Sequence, residues 1–130
     1  MNLQAFEKRW LQHFAAEVSK ESIEKYVVST GNYIWHVFSW NLLPQERYLT
    51  GEAAQKAYDQ ADKTGAVYIK PFGGTGSHAL PKALMRASAL DALIEVYVAA
   101  KDFSWTYIKT HENDMCGPYF MECPAKSQNK

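Results

Sequence analysis

At 130 residues the chain suits one domain, long enough to bury a substantial core. Lys plus Arg and Asp plus Glu stand at 14 each, so no net field favours nucleic acid or an anionic membrane as a partner. Apolar residues make up 47% and charged ones 22%, the profile of a globular chain rather than a disordered one. Glu7, Lys8 and Arg9 interrupt the start where a signal peptide would be apolar, and no apolar run reaches membrane-spanning length, so a cytoplasmic protein is expected. Cys116 and Cys123 are then expected as free thiols.

Leu3, Phe6, Trp10, Phe14 and Val18 recur at steps of three and four and predict an N-terminal helix. Ser19 caps a short helical turn through Tyr26, and Ser29-Thr30-Gly31-Asn32 supplies a turn. Tyr33 to Trp40 is aromatic and β-branched on both alternating faces, which predicts a central strand, with Trp35 and Phe38 on its opposite faces and His36 beside Phe38 and Trp40. Thr50 is placed to cap a helix over residues 51–63, with Gly65 beyond its end. Val67 to Lys70 reads as a strand ending in the loop Phe72-Gly73-Gly74-Thr75-Gly76-Ser77. Pro81 suits the first turn of a short helix through Met85.

The apolar run from Ala87 to Ala100 fits helix or strand and is divided at Asp91. Leu93 to Ala99 alternates around Glu95 and Tyr97. Ser104 to Thr110 carries Trp105 and Tyr107 on one face, so the pair predicts a hairpin turning at Lys101-Asp102. A last strand is expected at Tyr119 to Met121. The expectation is a single α+β domain over residues 1–124 with a frayed tail at 125–130. An N-terminal helix and others pack on a mixed or antiparallel sheet of four to five strands that closes with a C-terminal hairpin.

The densest group of reactive side chains follows the Trp105 strand. His111 and Glu112 are candidate acid and base, with His36 as a further catalytic candidate, although adjacent residues on an extended chain point to opposite sides. Asp114, Cys116, Tyr119 and Trp105 are the candidate binding residues around them. His111, Cys116, Cys123 and His36 lack the paired spacing of a zinc site, so no metal is expected. The Gly73–Ser77 loop sits where backbone N–H groups can cradle phosphate, and Tyr68–Ser77 resembles the phosphate-loop lysine segment of ATP-grasp enzymes. The loop matches neither glycine fingerprint, so a surface loop is the preferred reading and no cofactor is assigned.

The segments W-H-V-F-S-W at Trp35 to Trp40, K-D-F-S-W-T-Y ending at Tyr107, and T-H-E with C-G-P-Y-F between Thr110 and Phe120 together resemble a family of small bacterial proteins of unknown function. That resemblance implies a small bacterial domain and no particular activity. Two functions are weighed. The first, preferred, is a non-catalytic protein-binding module such as a toxin-neutralising immunity protein, suggested by small size and abundant Trp and Tyr; its partner is another protein. The second is a small hydrolase or transferase using His111 and Glu112. An enzyme is expected to gather these groups in a concave pocket, a binder to expose an apolar patch.

Overall fold

The computed structural model describes residues 1–112 and 117–123. Helix α1 spans Leu3–Phe14 and opens on Asn2, whose side chain accepts the Ala5 N–H. Its apolar stripe is the one the spacing predicts: Phe6, Trp10 and Phe14 are fully buried. Ser19 caps α2, Lys20–Tyr26, by accepting the Ser22 N–H. The chain then reverses through Gly31 at φ +111° and Asn32 at φ +64°, a conformation that glycine and asparagine adopt at low cost.

The segment expected as the central strand is instead a helical turn, α3 at His36–Ser39, closed by Asn41 at φ +57°. Ile34, Trp35, Val37 and Phe38 are buried, and all four lie in one core cluster rather than on two sheet faces. A short segment that is apolar all round satisfies a buried turn as well as a buried strand, and here burial against α1 and the sheet decides for the turn. His36 therefore shares no strand face with Phe38 and Trp40.

Among the described residues six strands follow, two short ones more than expected in place of the lost one: β1 Tyr48–Thr50, β2 Val67–Ile69, β3 His78–Ala79, β4 Val96–Ala99, β5 Trp105–Lys109 and β6 Tyr119–Glu122. They form one sheet in the order β1-β6-β5-β4-β2-β3, and every pairing is antiparallel. Helix α4, Gly51–Gln60, begins after Thr50, whose side chain makes no capping bond, and ends three residues before the expected boundary. The Pro81 segment is a 3-10 turn, Lys82–Leu84, and α5 covers Ala87–Leu90 before the chain enters β4, as the division at Asp91 predicts. The Gly117-Pro118 peptide at the entrance to β6 is cis.

Alternation along β4 and β5 divides two cores. Tyr97, Ala99 and Ile108 join Phe6, Trp10, Phe14 and Phe38 on the α1 face, while Val96, Val98, Trp105 and Tyr107 join Ala54, Tyr58 and Leu90 on the α4 and α5 face. Both central strands are covered on both sides, which accounts for the burial of all of β4 and most of β5. The expected frayed tail, 125–130, lies outside the described residues. No helix among the described residues is long and apolar enough to cross a membrane.

Candidate functional site

The register of the central hairpin builds the site. β4 and β5 pair Val96 with Lys109, so Glu95 stands one step beyond β4 beside the point where the chain leaves β5 toward His111. Glu95 shares the face of Tyr97 and so points into the α1-side core, where its side chain is wholly buried. A carboxylate there must find donors, because burying it without partners costs several kcal/mol. It finds four. Oε2 accepts the Tyr97 hydroxyl at 2.5 Å and the Trp35 Nε1–H at 3.2 Å; Oε1 accepts the backbone N–H of His111 at 3.0 Å and its ring Nδ1 at 2.7 Å. Four lone-pair sites meet four donors, so the carboxylate is saturated.

One consequence reaches the surface. A carboxylate oxygen in this position accepts, so Nδ1 of His111 carries a hydrogen and Nε2 is the outward ring nitrogen. Nε2 lies 3.7 Å from Glu112 Oε2. The two residues singled out as an acid–base pair therefore do approach each other, but the shorter bond of His111 runs to Glu95, on the other side of its ring.

Around His111 the rings are in contact. Its centroid is 5.1 Å from Tyr33, 5.5 Å from Phe72 and 5.6 Å from Trp35; His36 packs edge-on to Trp35 at 4.6 Å, and Trp40 lies 6.3 Å from His36 and 5.4 Å from Tyr26. Phe72 and Trp40, at opposite ends of this band, are 43% and 50% exposed. His36 is anchored within it by Nδ1, 2.7 Å from Thr30 Oγ1 and 3.1 Å from the Tyr26 carbonyl. Phe72 is carried by the glycine-rich loop, which is held down by the Ser77 N–H on the Met1 carbonyl at 2.8 Å. A side chain at Gly74 would meet the Lys70 carbonyl at 2.2 Å, so the loop can follow this path only with glycine there.

The remaining candidates divide. Tyr119 is on the same sheet face as Glu95 but is buried, stacked on Phe38 at 4.5 Å. Trp105 lies on the opposite face, stacked on Phe120 at 5.7 Å with Nε1 donating to the Asp62 carbonyl at 3.3 Å; the sheet separates it from His111. Asp114 and Cys116 fall outside the described residues. Cys123 is buried, its thiol donating to the His13 carbonyl at 3.0 Å. Among the described residues no three His, Cys, Asp or Glu side chains come together as a metal would require. Clefts open elsewhere, one beside Trp105 and α4 and one between α1 and α2, lined by residues other than the His111 band.

Reactivity alone does not single out Glu95, Tyr97 and Trp35, the residues that hold His111 in place. The signal for Glu95 was a single acid on the inward face of an otherwise apolar strand, L-I-E-V-Y-V-A, a residue type that is almost never fully buried unless paired.

Glu7 adds a second carboxylate to this core. It sits on α1 beside Phe6, half-buried, and burial pushes its pKa from 4.5 up to about 7. Tyr97 is held far above the ordinary tyrosine value by its own burial first, then by the charge and hydrogen bond of Glu95, with Glu7 contributing further. Between about pH 4.5 and 7 the folded chain keeps a proton at Glu7 that the unfolded chain releases, so stability falls as pH rises through that window. Glu7→Gln removes this loss. Thermal midpoints of the variant are expected to gain on those of the wild type as pH rises from below 4.5 to above 7; parallel curves would exclude a raised Glu7.

No curated protein and no solved structure matches the chain. A family model does: residues 3–120, which include α1, the whole Glu95 network and the first two residues of β6, match the family described as Domain of unknown function (DUF4275), and the chain belongs to that family.

Proposed function

We propose that the chain is a non-catalytic protein-binding module whose recognition surface is the ring band centred on His111. The observation that carries this reading is the saturated, buried Glu95, which fixes the ring of a partly exposed histidine among aromatic side chains that end in exposed Phe72 and Trp40. Rigid aromatic groups with a fixed polar atom among them are what protein interfaces use as anchors, because little side-chain entropy is lost on contact. The ring contacts run as a band that ends in two exposed aromatic side chains, and an exposed apolar patch is the feature expected of a binder. A toxin-neutralising protein is the particular form that suits a small chain of this composition. Zero net charge favours a target other than a nucleic-acid-cleaving toxin.

A second reading, a small hydrolase or transferase, has one specific observation in its favour: a carboxylate orienting an imidazole through Nδ1 is also how a general base is held ready, with Nε2 outward. His111 would be the base, Glu95 its positioning residue, and Glu112 the second acid at Nε2.

A photo-crosslinking phenylalanine analogue placed at Phe72 in the producing cell tests the binding reading. One discrete adduct is expected, absent when the analogue is at Lys56 on α4. Adducts that are diffuse, or that form equally from both positions, would contradict it.

A further inference from the structure

Away from the His111 band, α1 and α2 border a groove of about 600 Å³. Its floor is apolar: Leu11, Ala15, Ala16, Val18 and Ile23 line it, together with Val28 just past the end of α2. Leu11, Val18 and Ile23 are held in part by the core beneath, whereas Val28 is 43% exposed and packs against neither core cluster. The rim carries both signs of charge. Lys8, Lys20 and Glu24 stand around the floor, and among the described residues their charged ends make no hydrogen bond or ion pair. Lys20 and Glu24 lie one turn apart on α2. A partner surface of a single sign would meet an opposing charge here, but a face that offers both signs a turn apart is complementary to itself.

We infer that the α1–α2 face seats a second copy of this chain in a twofold dimer. With the axis passing near Ile23, α2 crosses its copy in the antiparallel sense, so that Lys20 of each copy meets Glu24 of the other. The apolar floors then close on each other. Ala15 and Ala16 carry small side chains, which leaves room for Val28 of the second copy, the fit of ridge into groove by which helices pack. The chain holds 14 basic and 14 acidic side chains, so no net charge opposes the association of two copies. The groove shares no residue with the ring band, and the dimer is independent of the binding reading.

Sedimentation equilibrium of the full chain tests the dimer. The wild-type mass is expected to rise with concentration to twice that of one chain. Val28→Asp is expected to stay monomeric with the circular dichroism and thermal midpoint of the wild type, because it sets a carboxylate into the interface at a position the core does not use. Lys20→Glu and Glu24→Lys are each expected to weaken association about tenfold by setting like charges together, and the double variant Lys20→Glu/Glu24→Lys to recover the wild-type affinity. The inference is overturned by a single-chain mass up to about 1 mM, where almost no specific affinity remains. It is overturned equally by Val28→Asp associating as the wild type does, or by a double variant weaker than either single one. A dimer that Phe72→Ser disperses and Val28→Asp leaves intact would place the second copy on the ring band and overturn it as well.

Discussion

Glu95→Leu is expected to destabilise the fold by about 3–5 kcal/mol, the range for removing one partner of a buried charged network. The size follows from the donors left behind. Trp35 and Tyr97 are 1% and 0% exposed, so the indole N–H and the phenol O–H lose their acceptor where water does not reach, at about 1–3 kcal/mol each. The backbone and ring N–H of His111 lose theirs too, but this residue is partly exposed and water replaces some of what is lost. Glu95→Gln is expected to cost less, because one oxygen remains and the Tyr97 hydroxyl can turn from donor to acceptor toward the new amide. Urea denaturation measures both; a Leu variant with the wild-type midpoint would show that the network carries no stability.

Trp10→Ala is the second large effect, about 3–5 kcal/mol. Trp10 is fully buried at the centre of the α1 face, 5.2 Å from Phe14 and edge-on to Phe38 at 5.9 Å, and truncation empties a space that helix and sheet cannot close together. Its Nε1 also donates to Thr106 Oγ1 at 2.9 Å, and that hydroxyl donates on to the Val98 carbonyl at 2.7 Å, so one residue ties α1 to both central strands. Trp10→Phe keeps most of the volume and removes the tie, which isolates the hydrogen bond at about 1 kcal/mol. Equal midpoints for Trp10→Ala and wild type would contradict the packing of α1 on the sheet.

The legible parts of the fold were those with a long period. α1 shows five apolar residues at helical steps, and β4 and β5 alternate cleanly enough that their hairpin, their inward faces and the shared face of Glu95 and Tyr97 follow from the pattern. β1 and β3 have three and two residues, too few for a period of two to register, and they exist because neighbouring strands offer them hydrogen bonds. The segment from Tyr33 to Trp40 failed for another reason. Aromatic and β-branched residues on every side fit any buried conformation, and the local evidence for a turn lay in Gly31, Asn32 and Asn41, whose positive φ values bracket it.

The same misreading hid most of the site. His111 and Glu112 stand out as reactive residues in any reading of the sequence, whereas the partners of His111 come from segments far apart in the chain. Tyr33 and Trp35 lie on a turn whose all-apolar pattern suits a strand equally well, and Phe72 on a glycine-rich loop with no reactive side chain to mark it. Glu95 lay one step past the register of a hairpin whose pairing depends on where the turn is centred. A shift of one residue in that turn changes what faces Glu95. Trp105 is near His111 in sequence, but the alternation of β5 places it on the other side of the sheet.

His111→Asn tests the central claim most directly, because it separates holding the surface from using it. The asparagine amide nitrogen occupies the same place along the side chain as Nδ1 and can still donate to Glu95, while Nε2 and the ring are gone. With the partner captured through Phe72 as ligand, the account predicts an affinity at least about tenfold weaker, 1.4 kcal/mol, and a stability within about 1 kcal/mol of wild type. An unchanged affinity at unchanged stability would show that Glu95 holds His111 for the sake of the fold alone.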